Sequence, residues 1–291
     1  MAKNRNNVML MTLLILIWGA CWPTYKSATP YIPPLFYAAL RSLGGGLLLA
    51  LFLWNIRNQI QFKKNWKIYS ISAFFNAILF LGIQTIGLQY LPGGLFSILV
   101  YFQPVIVGIL SWLMLKEVMT ALKLVGLCLG FIGVLVVSYG SITLSFQWIG
   151  IMLAFLTAFS WAFGVVYVKK YGSQVNAFWI VSMQFIIGGF ILLIGSLLME
   201  DVTTTIWNGY VIISSIFGIT IGLPATYLIY YKLIREGEAS KVATYTFLVP
   251  IVASFVGVVV YGEPLLSSWI LLGILFVGTS IIIVNRTASI K

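Results

Sequence analysis

The side chains of this chain that could do chemistry are few, and they suit binding better than bond-making. The sequence holds no histidine, so the commonest metal ligand and general base is missing. Its six acidic residues fall at the ends of apolar stretches or between them. One cation, Arg41, stands inside an apolar run, roughly 10 Å along a helix that starts near Pro34. A charge at that depth is costly unless it faces a cavity, finds a partner or reaches the headgroups. Two readings stay open: a cation in an outward vestibule that attracts a carboxylate or other anionic group, or a structural arginine bonded to helix-end carbonyls. Asn76, Gln84 and Gln103 also lie in apolar runs and are expected to face inward. Trp22, Tyr25, Tyr101, Trp161, Tyr167, Tyr227, Tyr245 and Thr246 accompany them. With Arg41 and the amides, they form the candidate substrate-binding set: rings for an apolar body, amides for a polar end. The competing reading for aromatic residues is an interfacial belt, which suits Trp54, Trp66, Trp148, Trp207 and Trp269 better.

Two prolines sit where motion could be gated. Pro104 and Pro250 lie near the middle of apolar runs, and a glutamate follows each by thirteen residues, Glu117 and Glu263. A mid-helix proline removes one hydrogen bond and crowds the carbonyl four residues back, here that of Val100 or Thr246. In lipid that carbonyl needs protein or water beside it, and paired interruptions in two halves of a membrane protein point to a central site. The plainer alternative is a pair of packing kinks. Glu117 and Glu263 are expected to cap helices or pair locally. No carboxylate lies deep in an apolar run, which disfavours proton-coupled efflux of cationic drugs and points to a neutral, zwitterionic or anionic solute.

The elements that must hold these residues are membrane helices. The chain is 61% hydrophobic and 8% charged, with mean hydropathy +1.05. Apolar runs of about 20 residues each match a bilayer core. Ten are expected: 8–26, 34–54, 68–90, 95–115, 121–139, 148–168, 177–199, 207–231, 239–261 and 266–284. The net charge of +11 does not indicate nucleic acid, because the basic residues cluster between the apolar runs. Counting ten spans puts fifteen Lys and Arg on one side and Lys26 on the other, which predicts cytoplasmic N- and C-termini. Met1 to Asn7 and the run after it have the outline of a signal peptide, but bulky Trp18 spoils the cleavage site, so a retained first helix is expected. Cys21 and Cys128 both lie in apolar runs and read as packing residues. No GxxxxGK[ST] motif occurs, so the driving force is expected to be a gradient.

The chain also echoes itself. Trp18, Lys26, Phe36, Arg41 and Gly45-Gly46 are followed 143 residues later by Trp161, Lys169, Trp179, Gln184 and Gly188-Gly189. Further on the offset is 146, pairing Pro104 with Pro250 and Glu117 with Glu263. Each half then holds five helices, an odd number, so the second half enters the membrane inverted. Two halves, residues 1–140 and 148–286, give two near-equivalent packings with opposite mouths open, the requirement for alternating access. The glycine pairs are expected to serve close internal helix contact rather than dimerisation.

These residues resemble the drug/metabolite transporter superfamily, in its EamA-type branch. The likeness rests on Ile17-Trp18-Gly19 with Pro23 and Lys26, Pro33-Pro34-Leu35-Phe36 through Arg41, Gly87 through Leu95, Pro104 and Leu115-Lys116-Glu117. In the second half it rests on Trp161, Lys169, Glu238-Ala239-Ser240, Leu248-Val249-Pro250, Gly262-Glu263-Pro264, Gly273 and Val284-Asn285-Arg286. Lys116 departs from it, standing where the family often has glycine; Gly93-Gly94 replaces a more usual hydroxyl-plus-alanine pair. The resemblance implies ten helices in two inverted repeats, with export or exchange of small metabolites through a central cavity.

The expectation is therefore an all-α integral membrane protein of the cytoplasmic membrane. It would act as a secondary transporter of small organic metabolites such as amino acids, without a cofactor. Its partners would be a small-molecule substrate and membrane lipids, not nucleic acid, and it would be a monomer or homodimer. The alternatives are a membrane-embedded lipid-modifying enzyme, which would need a catalytic cluster, and a proton-coupled multidrug efflux protein.

Overall fold

The computed structural model describes residues 2–87, 90, 96, 99–137, 148–261 and 269–286, and the regular structure among them is helical. Seven helices there are long and apolar enough to cross a membrane, and three more are shorter apolar helices. In chain order they are α1 (Ala2–Ala28), α2 (Pro34–Phe52), α3 (Phe62–Gly87), α4 (Gln103–Leu115) and α5 (Ala121–Val137). There follow α6 (Trp148–Tyr171), α7 (Ala177–Met199), α8 (Gly209–Glu236), α9 (Ala239–Val260) and α10 (Trp269–Arg286). Glu263, the Gly93-Gly94 pair and Gly262 through Pro264 lie outside the described residues.

Helix ends show why the chain breaks where it does. Pro34 opens α2, where a missing N–H costs nothing. The next two N–H groups, of Leu35 and Phe36, donate to Glu200 Oε1 and Oε2 at 2.8 and 2.9 Å. Asn176 and Asn208 cap α7 and α8 through their side-chain oxygens. Lys116 ends α4 in the left-handed region, φ 58°. That conformation suits glycine best, which accounts for the unusual look of a lysine there. Helices α1 and α3 start earlier than their apolar runs. The basic turn of α3, with Lys63, Lys64 and Lys67 exposed, continues the helix beyond the apolar stretch.

Three helices are not regular throughout. Residues Phe74–Ile83 of α3 and Gly218–Ala225 of α8 are wound as π-helix, the latter around Pro224. In α9 a 3₁₀ turn, Tyr245–Leu248, precedes Pro250, and the Val249 N–H bonds to the Thr246 carbonyl that the proline leaves without its usual donor. Before Pro104 the chain makes a turn at Tyr101-Phe102, and α4 restarts at Gln103. Both proline runs are thus interrupted helices.

Helix contacts come in matched sets. Helix α2 packs along α7, and α5 along α10. Helix α1 packs on the later part of α9, and α6 on α4; the π-helical part of α3 meets α6 and α7, while that of α8 meets α1 and α2. At the α2–α7 crossing a Cβ on Gly46 would lie 2.7 Å from the Ile186 nitrogen, and one on Gly189 would lie 2.4 Å from the Leu43 nitrogen. Only glycine permits such approach. Ser42 Oγ donates to the Phe185 carbonyl and Ser182 Oγ to the Gly46 carbonyl, at 3.1 and 2.9 Å. Broad apolar faces remain exposed, among them Leu197, Leu198, Met199, Ile213 and Leu275, as lipid-facing surfaces do.

Candidate functional site

The middle of the bundle is aromatic. Trp18 of α1 and Trp161 of α6 meet edge to face with ring centres 5.8 Å apart. Tyr230 of α8 closes the group, 5.5 Å from Trp18 and 4.9 Å from Trp161. Beside it Trp22 Nε1 donates to the Tyr101 hydroxyl at 2.7 Å, tying α1 to the turn that breaks the chain before Pro104. Gln103, two residues on, is buried, and its Oε1 has no partner among the described residues. Such unspent polar groups beside rings could hold a small amphipathic solute once the helices part.

A second group is fully buried, and two of its atoms, Asn76 Oδ1 and Gln184 Nε2, have no hydrogen-bond partner among the described residues. Asn76, in the π-helical part of α3, and Gln184 of α7 are fully buried. The Tyr231 hydroxyl donates to Gln184 Oε1 at 2.8 Å, and Asn76 Nδ2 donates to the Tyr231 oxygen at 3.1 Å and to Gln184 Oε1 at 3.4 Å. Tyr227, one turn before Tyr231, donates to the Asn76 backbone carbonyl at 3.4 Å and packs its ring on Phe185. Gly164 of α6 leaves the space that the Asn76 amide fills. This knot joins α3, α7 and α8.

Arg41 occupies a third place. It is 5% exposed, and its Cζ lies 4.0 Å from the Tyr25 ring centre and 4.1 Å from that of Tyr37. The two rings meet at 83°, so the guanidinium fits their corner. Its Nε donates to the Tyr37 carbonyl at 3.3 Å.

At the basic end a carboxylate ties three helices together. Glu117, just past α4, accepts from the Ala239 N–H at 2.7 Å and from the Ser240 N–H and hydroxyl at the start of α9. Lys169 from α6 donates to it at 2.7 Å and also to the Gly237 carbonyl. Lys123 and Lys241 flank this latch through Glu238, at 2.9 and 3.0 Å. Burial alone would raise the Glu117 carboxyl, but the Lys169 ammonium and the surrounding hydrogen bonds hold its pKa below the usual carboxylate value. A cavity of about 480 Å³ opens beside the latch, lined by Lys116, Lys169 and Lys170 among others.

The remaining candidates are dispersed. Gln84 is half-buried where the π-helical part of α3 ends, and Tyr245 and Thr246 lie in the 3₁₀ turn before Pro250. Tyr167 stands in a ladder of rings along α6, between Phe163 and Tyr171, beside exposed Phe159. It therefore stands apart from the Trp18–Trp161–Tyr230 group. Trp18, Tyr230 and Tyr231 are central yet absent from the sequence-derived set. The signals that could have found them are the match of Trp18 to Trp161 and helical spacing: Tyr227, Tyr230 and Tyr231 share one face of α8. Among the described residues no three metal-ligating side chains cluster.

The EamA-like transporter family matches the chain twice, over residues 6–139 and 148–286. The chain is 43% identical over 277 residues to YvbV of Bacillus subtilis, an uncharacterized transporter, covering 95% of this chain and 90% of that one. It is 28% identical to a second uncharacterized transporter of the same species, YoaV, over 83% and 84% of the two chains. A crystal structure of a protein only 14% identical superposes over 96% of each chain with a TM-score of 0.80, which shows a shared fold.

Proposed function

We propose that this chain, which belongs to the EamA-like transporter family, is a secondary transporter of the cell membrane that exports or exchanges small organic metabolites such as amino acids by alternating access. The observation that carries the reading is the pairing of equivalent elements. Helices five apart in the chain pack against each other, α2 on α7 and α5 on α10, and Trp18 meets its own counterpart Trp161. Ten spans in two inverted five-helix halves account for that pattern, because an inverted duplication places equivalent helices against each other across an axis in the membrane plane. The two π-helical stretches and the two proline breaks fall at equivalent places as well. Irregular backbone of this kind is where one half can shift on the other.

On this reading Trp18, Trp22, Tyr101, Gln103, Trp161 and Tyr230 contact the solute, and the interrupted helices at Pro104 and Pro250 let the two mouths open in turn. The Glu117 latch closes the cytoplasmic end in the state described. Both termini lie in the cytoplasm, as the Lys and Arg distribution supports. Counterflow in proteoliposomes tests the function: purified protein preloaded with an unlabelled amino acid panel should accumulate labelled members of it. Failure to move any solute while converting a lipid would replace transport with membrane enzymology. Cysteine labelling that puts Lys26 and Lys169 on one face would remove the inverted arrangement.

A further inference from the structure

We propose that the Arg41 guanidinium is a binding site for the carboxylate of a small monoanionic or zwitterionic solute, an inference that rests on the transport reading and names the substrate class. The argument begins with what the fold does to its other sheltered cations. Lys123 is 1% exposed and bonds to Glu238 at 2.9 Å and to the Val118 carbonyl at 3.1 Å. Lys169 has Glu117 and the Gly237 carbonyl, each at 2.7 Å. Arg235 donates to the Gly172 and Val175 carbonyls at 2.6 and 3.0 Å. Each has oxygen partners.

Arg41 does not share that treatment. A guanidinium carries five N–H donors. Among the described residues the one bond it makes is from Nε to the Tyr37 carbonyl, at a long 3.3 Å. Neither Nη has a partner there, and the side chain is 95% sheltered by its 5% exposure. The Tyr25 and Tyr37 rings offset part of the burial cost through the attraction of a cation to an aromatic face. They leave the donor edge unspent. Neither Nη is among the fully buried unpartnered atoms, so this edge stays within reach, and an anion arriving there would pair a charge that the described residues leave unmatched.

The shape selects the anion. Nε is tied to Tyr37, and rings at 83° cover two sides, so the paired Nη edge is what an incoming group can reach. That edge matches a planar group with two oxygens. One buried positive charge balances one negative charge, whereas a phosphate dianion would leave an excess. The corner also offers apolar surface, with Phe217 beside Tyr25 at 6.2 Å between ring centres. Gly218, at the first turn of the π-helical part of α8, lies against the arginine stem; a Cβ there would come within 2.6 Å of Arg41 Cδ. Movement of α8 would therefore move the site.

The test uses detergent-purified full-length protein and matched probes: phenylacetate against phenylacetamide, and leucine against leucinamide. Calorimetry should show each carboxylate binding roughly tenfold or more tightly than its amide, the scale of a charge-assisted hydrogen-bonded pair. Arg41→Gln should abolish the preference and leave amide binding unchanged; Arg41→Lys should keep it in weakened form. Gly218→Ala, which displaces the stem without touching the charge, should weaken carboxylate binding alone. Equal binding of acid and amide by the native protein, absence of carboxylate binding, or a preference that survives Arg41→Gln would each overturn the proposal. Counterflow separates it from the broader reading. Flux without carboxylate preference would sink this site and spare transport; carboxylate binding without flux of any solute would do the reverse.

Discussion

Arg41 and Gln184 hold matching places in α2 and α7, 143 residues apart, and the molecule finishes them differently. Gln184 lies in a buried knot with Asn76 and Tyr231, neutral, with its Nε2 and the Asn76 Oδ1 left without partners among the described residues. Arg41 lies in an aromatic corner with its charge unmatched among the described residues. The backbones beside them are alike, since each side chain packs near a π-helical stretch of the opposite half, Asn76 in α3 for Gln184 and Gly218 in α8 for Arg41. Similar backbone surroundings thus hold side chains of different chemistry, a neutral amide in one place and a cation in the other.

The sharpest way to break the comparison is to exchange the residues. Gln184→Arg would put an unpaired charge where exposure is zero and should destabilise the protein by about 3–5 kcal/mol, whereas Arg41→Gln should change stability by about 1 kcal/mol or less. Unfolding in mixed micelles reads both; similar losses would mean that the two places are equally closed. Next comes packing. A Cβ at Gly164 would lie 2.2 Å from Asn76 Oδ1 inside the knot, so Gly164→Ala should cost about 1–3 kcal/mol, and Gly218→Ala less because an arginine stem yields.

Hydroxyl deletions probe a finer difference. The Tyr231 hydroxyl serves both amides of the knot, and Tyr231→Phe should cost about 1–2 kcal/mol. The Tyr25 hydroxyl has no hydrogen-bond partner among the described residues, so Tyr25→Phe should stay within about 0.5 kcal/mol. The smallest effect belongs to the latch. Because Glu117 is held below its ordinary pKa, its contribution is present above the unfolded value and is lost as pH falls through the lowered folded one. A melting-temperature profile in the acid range should be flatter in Glu117→Gln than in the native chain, while Arg41→Gln should leave its slope unchanged.

Much of this was legible in the residues, for reasons tied to lipid. Asn76 and Gln103 had to face inward because a bare amide in hydrocarbon is expensive, and both are buried. Pro104 and Pro250 had to interrupt helices, and both runs are interrupted. The cap made by Glu117 followed from its position at a helix end. Tyr167 is half-buried in a ladder with Phe163 and Tyr171, because an amphipathic ring one turn from a lysine suits a pocket and a ring ladder equally. Trp18 and Tyr230 lie outside the candidate binding set because ring identity does not tell which neighbour a ring will meet.

The sequence by itself determined membrane class, the apolar runs and the doubled order of its motifs, since all three are set by hydrophobicity and spacing along one dimension. Tertiary structure alone decided which polar groups found partners. Hydrogen bonds between helices join residues far apart in the chain, by 108 positions for Asn76 and Gln184. Their presence or absence depends on helix winding and crossing, which no local pattern encodes. That is why the charge at Arg41 could be counted from the chain, while its lack of a partner became visible only when α1, α2 and α8 stood side by side.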